Sequence, residues 1–435
     1  MTRMKDSGIE WIGEVPEEWG ITKIKFTTQL NGRIGWQGLT SAEYKEEGPY
    51  LITGTDFLDG KINFETAVHI DEKRWFEAKQ IQVENGDLLI TKDGTVGKVA
   101  IIEGLNEKAS LNSGVLRIQT TENISRRFLF YVLKSDVFWL WFNYTNSGAS
   151  TILHLYQNVF DEFSFTFPNV SEQNQIADFL DKKVAQLDKV KSLLEEQIKT
   201  LEDYRQSLIY ETVTKGLDKT VPLKDSGVDW IGQIPEGWEV KNFKYVATIK
   251  DGTHDTPEYF VEGVPLITSK NLDSVQNRID FDSAKNISYD DHIKISQRSN
   301  VKKGDILMPM IGTIGGATQV LVEKEFSIKN VALFKVAHDE ALSRFLYYQL
   351  NSRWTNSQLS FMMSGGVQSF VSLNMLSKVK LIIPTSEEIK KINLFLDSGV
   401  GKINKMISIK KEQIENINKQ RQTLIYDYVT GKRRV

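Results

Sequence analysis

The chain is 435 residues long, 40% hydrophobic and 26% charged, with a formal net charge of -3, so it is globular, has room for roughly two to four domains, and carries no global positive charge for nucleic acid. It has no cysteine, which excludes disulfides, thiolate metal sites, iron-sulfur clusters and a cysteine nucleophile, and fits a reducing cytosol. No stretch reaches the roughly 18 apolar residues of a membrane span and the N-terminus lacks an apolar signal core, so the expectation is a soluble, unprocessed, cytoplasmic protein.

The first element is a phrase, KDSGIEWIGEVPEEW at 5–19, that returns as KDSGVDWIGQIPEGW at 224–238. Other segments repeat at the same offset. LLITKDGTVGKVA (88–100) is answered by ILMPMIGTIGGAT (306–318), RRFLFYVLKS (126–135) by SRFLYYQLNS (343–352), and QSLIYETVT (206–214) by QTLIYDYVT (422–430). Two copies of one module of about 217 residues therefore fill the chain. Because the phrase recurs in both copies, its Trp11, Trp19, Trp230 and Trp238 are read as structural, starting each domain and fastening it near a helix.

Within copy one, residues 1–168 alternate glycines, aromatics and short apolar runs such as GDLLIT and GVLRIQ, the texture of a mixed domain with short strands and a helix or two. From 169 to 215 the texture changes. Glycine and proline vanish between Ser171 and Thr214, and Leu180, Leu187, Leu194, Leu201 and Leu208 recur every seventh position, with Val184 and Ile198 between them. This is a coiled-coil seam on a helix of about 43 residues, roughly 65 Å long. After a linker at 216–223, copy two repeats the mixed domain over 224–385 and the helix over 386–435, with Leu396, Val400, Ile403, Ile407, Ile414, Ile417 and Leu424. The fold class expected is α+β: two similar mixed domains separated by two long antiparallel coiled-coil helices, related by a pseudo two-fold axis. Such a rod suits a divided target such as duplex DNA, whose half-sites share that symmetry. A structural spacer fits the same outline.

Enzymatic signatures are missing. No two of the nine prolines are adjacent, so the [DNS]PP[YFW] loop of an adenine methyltransferase is absent, and DGTVGKV is not a Walker A loop. The five histidines (His69, His154, His254, His292 and His338) form no ligand spacing. No catalytic residue, no metal and no cofactor in this chain is expected.

Candidate DNA contacts are donor-bearing loops, because base edges take Arg, Lys, Asn, Gln, Ser and Thr while phosphates take cations and backbone N–H groups. In copy one, NGRIGWQG offers Arg33, Trp36 and Gln37, and TKDGTVGK offers Lys92, Thr95 and Lys98. A plain turn with a packed tryptophan and a hairpin with solvated lysines are the alternatives. Met310 and Gly316 replace both lysines in copy two, so the loop backbone is the shared feature. Thr55, Asn112, Ser147 and Thr151 complete the set, and copy two supplies His254, Thr256, Lys270, Asn271, Thr313, Asn330, Gln368 and Ser369.

The doubled KDSGxxWIGxxPxxW phrase, GTHDTP with VPLIT, the GDLLI...GTVG element, SEQNQIADFLD and the closing LIYxxVT together resemble the specificity subunits of type I restriction-modification systems over essentially the whole chain. The resemblance implies two target recognition domains, each reading half of an asymmetric bipartite double-stranded DNA sequence, and helices that set the unread spacer. It further implies docking of two modification subunits that carry S-adenosylmethionine, and of restriction subunits, where present, that use ATP and Mg. Two other readings stay open at this point: a DNA-modifying enzyme acting alone, and a coiled-coil scaffold with no DNA role.

Overall fold

The computed structural model describes residues 3–33, 39–146, 153–229, 231–311, 315–336, 338–363 and 370–435. The chain divides into two compact units, one formed by Met1–Leu193 with Gln413–Val435 and the other by Leu194–Glu412.

In the first unit the run Leu88–Thr91 is buried at every position. Such a run is a strand covered on both faces, and the alternation of side chains sorts it between two cores. Leu88 and Ile90 enter a large aromatic core with Phe138, Trp141, Phe160 and Phe163, while Leu89 enters a second core with Ile52, Ala100 and Leu111. This strand lies in a four-stranded antiparallel sheet, ordered Val99–Ile101, Leu88–Thr91, Val115–Thr120, Thr28–Gly32. A second sheet sets Ala109–Leu111 parallel to Lys45–Ile52, with Val68–His69 and Gln82–Val83 at its edges.

The second unit repeats the plan from different residues. Ile306–Pro309 is again buried throughout, with Ile306 and Met308 in one core and Leu307 in another. Its sheet is ordered Thr248–Asp251, Val331–Lys335, Ile306–Pro309, Thr318–Gln319, and Ser327–Ile328 again pairs parallel with Val264–Ile267.

The first long helix runs unbroken over Val170–Lys215 and the second over Ser386–Val429. Inside each unit, segments of the two pair antiparallel. In the first, Phe179 packs at a tilt against Tyr428 with ring centroids 4.4 Å apart, and Arg421 reaches Asp188 at 2.8 Å. In the second, Arg205 donates to Asn404 at 2.7 Å, and Gly399 admits Leu208 so closely that a Cβ would meet it at 3.0 Å. The seam is buried at intervals along its length, Ile198 included. Leu180, Leu396, Ile403 and Ile407 are buried, whereas Leu187, Leu194, Leu201, Leu208, Ile414, Ile417 and Leu424 are half-buried, as two helices alone leave one side of a seam open.

Each β domain grips its own helix through a matching set. Tyr131 donates to Asp181 at 2.7 Å beside Arg127, which spans Asp178 and Asp181; Tyr348 donates to Asp397 at 2.6 Å beside Arg344. The doubled phrase is a second fastening. Trp19 is buried and donates its indole N–H to Glu172 at 3.0 Å, and Trp238 does the same to Glu388 at 3.0 Å. Trp11 leans on Tyr144 with centroids 5.2 Å apart; Trp230 lies outside the described residues.

Candidate nucleic-acid interface

In the first unit three loops meet at one end of the two sheets. The strand Lys45–Ile52 ends in a turn where Asp56 accepts from both the N–H and the hydroxyl of Thr53, at 2.7 and 2.9 Å, which leaves Thr55 exposed at the tip. Beside it, the loop after Leu88–Thr91 is tied from within. The buried Thr91 hydroxyl donates to the Thr95 carbonyl and accepts from Lys98 N–H at 2.9 Å, so Gly94 and Gly97 take the left-handed backbone that glycine permits. Lys98 lays its ammonium on the Gly54 carbonyl at 3.2 Å, joining the two loops. Lys92 is half-buried and pairs through its backbone with Gly114 and Leu155. Asn112, in the third loop, is half-buried, and its side-chain oxygen accepts from Ser113 N–H at 2.5 Å.

Arg33 departs from the expected role. It is 4% exposed, with Nε donating to the Leu111 carbonyl at 2.9 Å and a terminal nitrogen near Ser110 Oγ, and burial together with nearby Arg74 lowers its pKa to about 10. Its guanidinium caps the end of the parallel strand instead of facing solvent. Asn271 is likewise inward, at 5% exposure: its oxygen accepts from Thr268 N–H and hydroxyl at 2.9 Å, and its nitrogen donates to Ser283. That is the geometry of Thr53 and Asp56 in the first unit, so Lys270 occupies the exposed tip position that Thr55 occupies there.

In the second unit His254 is held at both ring nitrogens, by Asp251 Oδ2 at 3.0 Å and Asn330 Oδ1 at 2.9 Å. Arg298 pairs with the other oxygen of the buried Asp251, and Lys329 reaches the hydroxyl of Thr256. Gly252 is required here, because a Cβ would come within 1.9 Å of the Ile328 carbonyl. Asn330 takes a positive φ of 54° and links this loop to Thr253. Trp36, Gln37, Ser147, Thr151, Thr313, Gln368 and Ser369 lie outside the described residues.

Sequence reasoning passed over Asp251, Arg298 and Lys329 in this cluster, and the His154 to Asp93 pair in the first unit. Lys329 adjoins Asn330 and Asp251 lies three residues before His254, but Arg298 sits at the end of a helix with nothing local to mark it. Among the described residues, no group of three or more His, Cys, Asp or Glu is placed to hold a metal, and no helix is long and apolar enough to cross a membrane.

Comparison with known proteins adds four observations. The family described as type I restriction modification DNA specificity domain matches twice, over residues 38–202 and 235–418. The chain is 26% identical over 431 residues to the type I restriction enzyme MjaVIII specificity subunit of Methanocaldococcus jannaschii, covering 97% of this chain and 94% of that protein. It is 26% identical over 280 residues to the EcoBI specificity subunit of Escherichia coli, covering 62% of this chain and 56% of the relative. A solved chain from work on complex assembly and conformational transition of the type I R-M system shares the fold, with a TM-score of 0.69 at 15% identity over 96% of this chain and 99% of that one.

Proposed function

We propose, for a chain that belongs to the type I restriction modification DNA specificity family, that its two β domains each read one half of an asymmetric bipartite sequence in double-stranded DNA. The chain is a specificity subunit, without catalysis of its own, and its relatives are named as such. The recognition domains span 1–168 and 224–385. The helices at 169–215 and 386–435, joined to the second domain through 216–223, set the unread spacer and dock two modification subunits that carry S-adenosylmethionine. Restriction subunits using ATP and Mg join where the system has them, and the assembly works in the cytoplasm.

One observation carries this reading. The two units keep the same turn scaffold, Thr53 with Asp56 and Thr268 with Asn271, yet present Thr55 from it in one and Lys270 in the other, and the loop that carries Lys98 in the first unit has Gly316 at that position in the second. A common frame with unlike tips is what two readers of unlike half-sites need, since base identity is read by side-chain donors and acceptors. Thr55, Lys92, Thr95, Lys98 and Asn112 are the contacts proposed in the first domain, with Trp36, Gln37, Ser147 and Thr151. His254, Thr256, Lys270 and Asn330 serve the second, with Thr313, Gln368 and Ser369. Arg33 and Asn271 act instead as supports of the frame.

The test is to map methylated adenines in cells that express this chain with its modification subunit. A gapped two-part motif is expected, of which one part alone changes when residues 240–385 are exchanged for those of a relative. An unchanged methylation pattern after the exchange would refute the assignment.

A further inference from the structure

Duplication supplies an internal control for every cavity in the molecule, and one pair of cavities differs in a telling way. In the first unit a cavity of about 370 Å³ is walled by Gly60, Gly97 and Trp139, with Lys98, Lys134 and Arg421 as its cations and Asp59 as its one carboxylate. At the matching place in the second unit the cavity is about 130 Å³ and holds Gly316, Asn351, Asn356, Arg205 and Gln206. Arginine and glutamine recur in both, as Arg421 with Gln422 and Arg205 with Gln206. Lys98 and Lys134 give way to Gly316 and Asn351.

The second cavity is satisfied from within. Asn351 exchanges two hydrogen bonds with Ala317, both 2.9 Å, and Arg205 is taken by Asn404 at 2.7 Å. In the first cavity the arginine is similarly held, with Asp188 at 2.8 Å, but the Lys134 ammonium meets no carboxylate at bonding distance among the described residues and rests over the Phe130 ring at 5.0 Å. Burial, then the neighbouring Arg421, pushes Lys134 down to about 8, against the opposing pull of the Asp188 and Asp59 carboxylates. A half-buried cation beside another cation, with no carboxylate at bonding distance among the described residues, costs free energy, which a bound anion would offset.

We propose that this cavity of the first unit binds a phosphate group, with Lys134 and Arg421 as its charged ligands, Lys98 at its rim and Trp139 as its wall. Lysine and arginine donors around a concave site suit a phosphate group, because Lys98, Lys134 and Arg421 outnumber Asp59 of the lining and Asp188, and Arg421 already holds Asp188. The phosphate comes either from a free phosphate compound or from the DNA backbone. The first source does not depend on the DNA reading; the second rests on it.

The experiment uses the full chain and three variants, Lys134→Met, Lys134→Arg and, as a distant control, Lys199→Met. Inorganic phosphate and a nucleoside monophosphate are titrated into each chain by calorimetry, and duplex DNA binding of each chain assembled with its modification subunits is followed against salt. If the source is free, phosphate binding saturates, weakens by about tenfold or more in Lys134→Met, and returns in Lys134→Arg. If the source is DNA, free phosphate does not bind, and Lys134→Met lowers the slope of log affinity against log salt by about 0.9 while Lys199→Met does not. Lys134→Met folding with an equal or higher melting temperature, yet matching the parent in both arms, overturns the phosphate site and leaves the DNA reading standing. A parent chain that binds no duplex in its assembled complex counts against the DNA reading instead, and the free-phosphate arm then decides the cavity alone.

Discussion

Trp19 donates its indole N–H to Glu172 at 3.0 Å, binding the last residue of the opening phrase to the first turn of the first long helix. The ring also closes on Gly431, past the end of the second helix, where a Cβ would lie 2.9 Å from it and the backbone φ is 74°. Trp238 repeats both relationships with Glu388 and Gly216. The phrase is thus a clamp that holds a domain onto a helix beginning and a helix end.

Truncating that clamp should be costly. Trp19→Ala is expected to destabilise the first unit by about 3–5 kcal/mol, the range for emptying a buried aromatic site, measured by chemical denaturation. Glu172→Gln should cost far less, because the carboxamide still accepts from the indole.

The seam should respond unevenly along its length. Leu180→Ala, at a fully buried position, is expected to cost about 2–5 kcal/mol. Leu187 is only half-buried, so Leu187→Ala should cost about 1–2 kcal/mol. Equal losses in thermal unfolding would show that a further partner already covers the outer side of the helices.

Frame and tip should separate cleanly. Arg33→Ala leaves the buried Leu111 carbonyl without its donor and is expected to lose about 1–3 kcal/mol of stability. Thr55→Ala, at an exposed tip, should leave the melting temperature within a degree or so of the parent and change the methylated motif at a single base position. A reversed pattern would return Arg33 to the list of readers.

Glu162 contributes to acid sensitivity. Lys23 and Lys25 bond to the Glu162 carboxylate and hold it down at about 2, below its ordinary 4.5. A depressed carboxyl contributes stability above about 4.5 and loses it as pH falls toward 2. NMR titration should therefore find the Glu162 carboxyl moving upward in Lys23→Met with Lys25→Met, and Glu162→Gln should flatten this part of the acid unfolding curve.

The duplication, the helices and the family were open to inspection in sequence because each is a periodicity or an ordered set of local motifs, which survives without knowledge of three-dimensional neighbours. The strand pairs were harder. Ala109–Leu111 lies parallel to Lys45–Ile52 across a long stretch of chain, and nothing near Ala109 announces that partner.

Among the site residues, the chemical type was legible and the direction was not. Arg33 and Lys98 look alike as donors beside glycines, yet one caps a buried carbonyl and the other bridges two surface loops. Asn271 and Lys270 are sequence neighbours, but the first closes a turn and the second stands outside it.

By itself, the sequence determined that the protein is two copies of one mixed module with a long heptad helix in each, because duplication and a seven-residue repeat are written in the order of residues. Only the tertiary structure decided which donors face outward, how deep each part of the seam lies, and that Lys134 meets no carboxylate at bonding distance among the described residues where its counterpart Asn351 is satisfied. Burial and hydrogen-bond partnership depend on segments far apart in the chain, and those are set only when the chain packs.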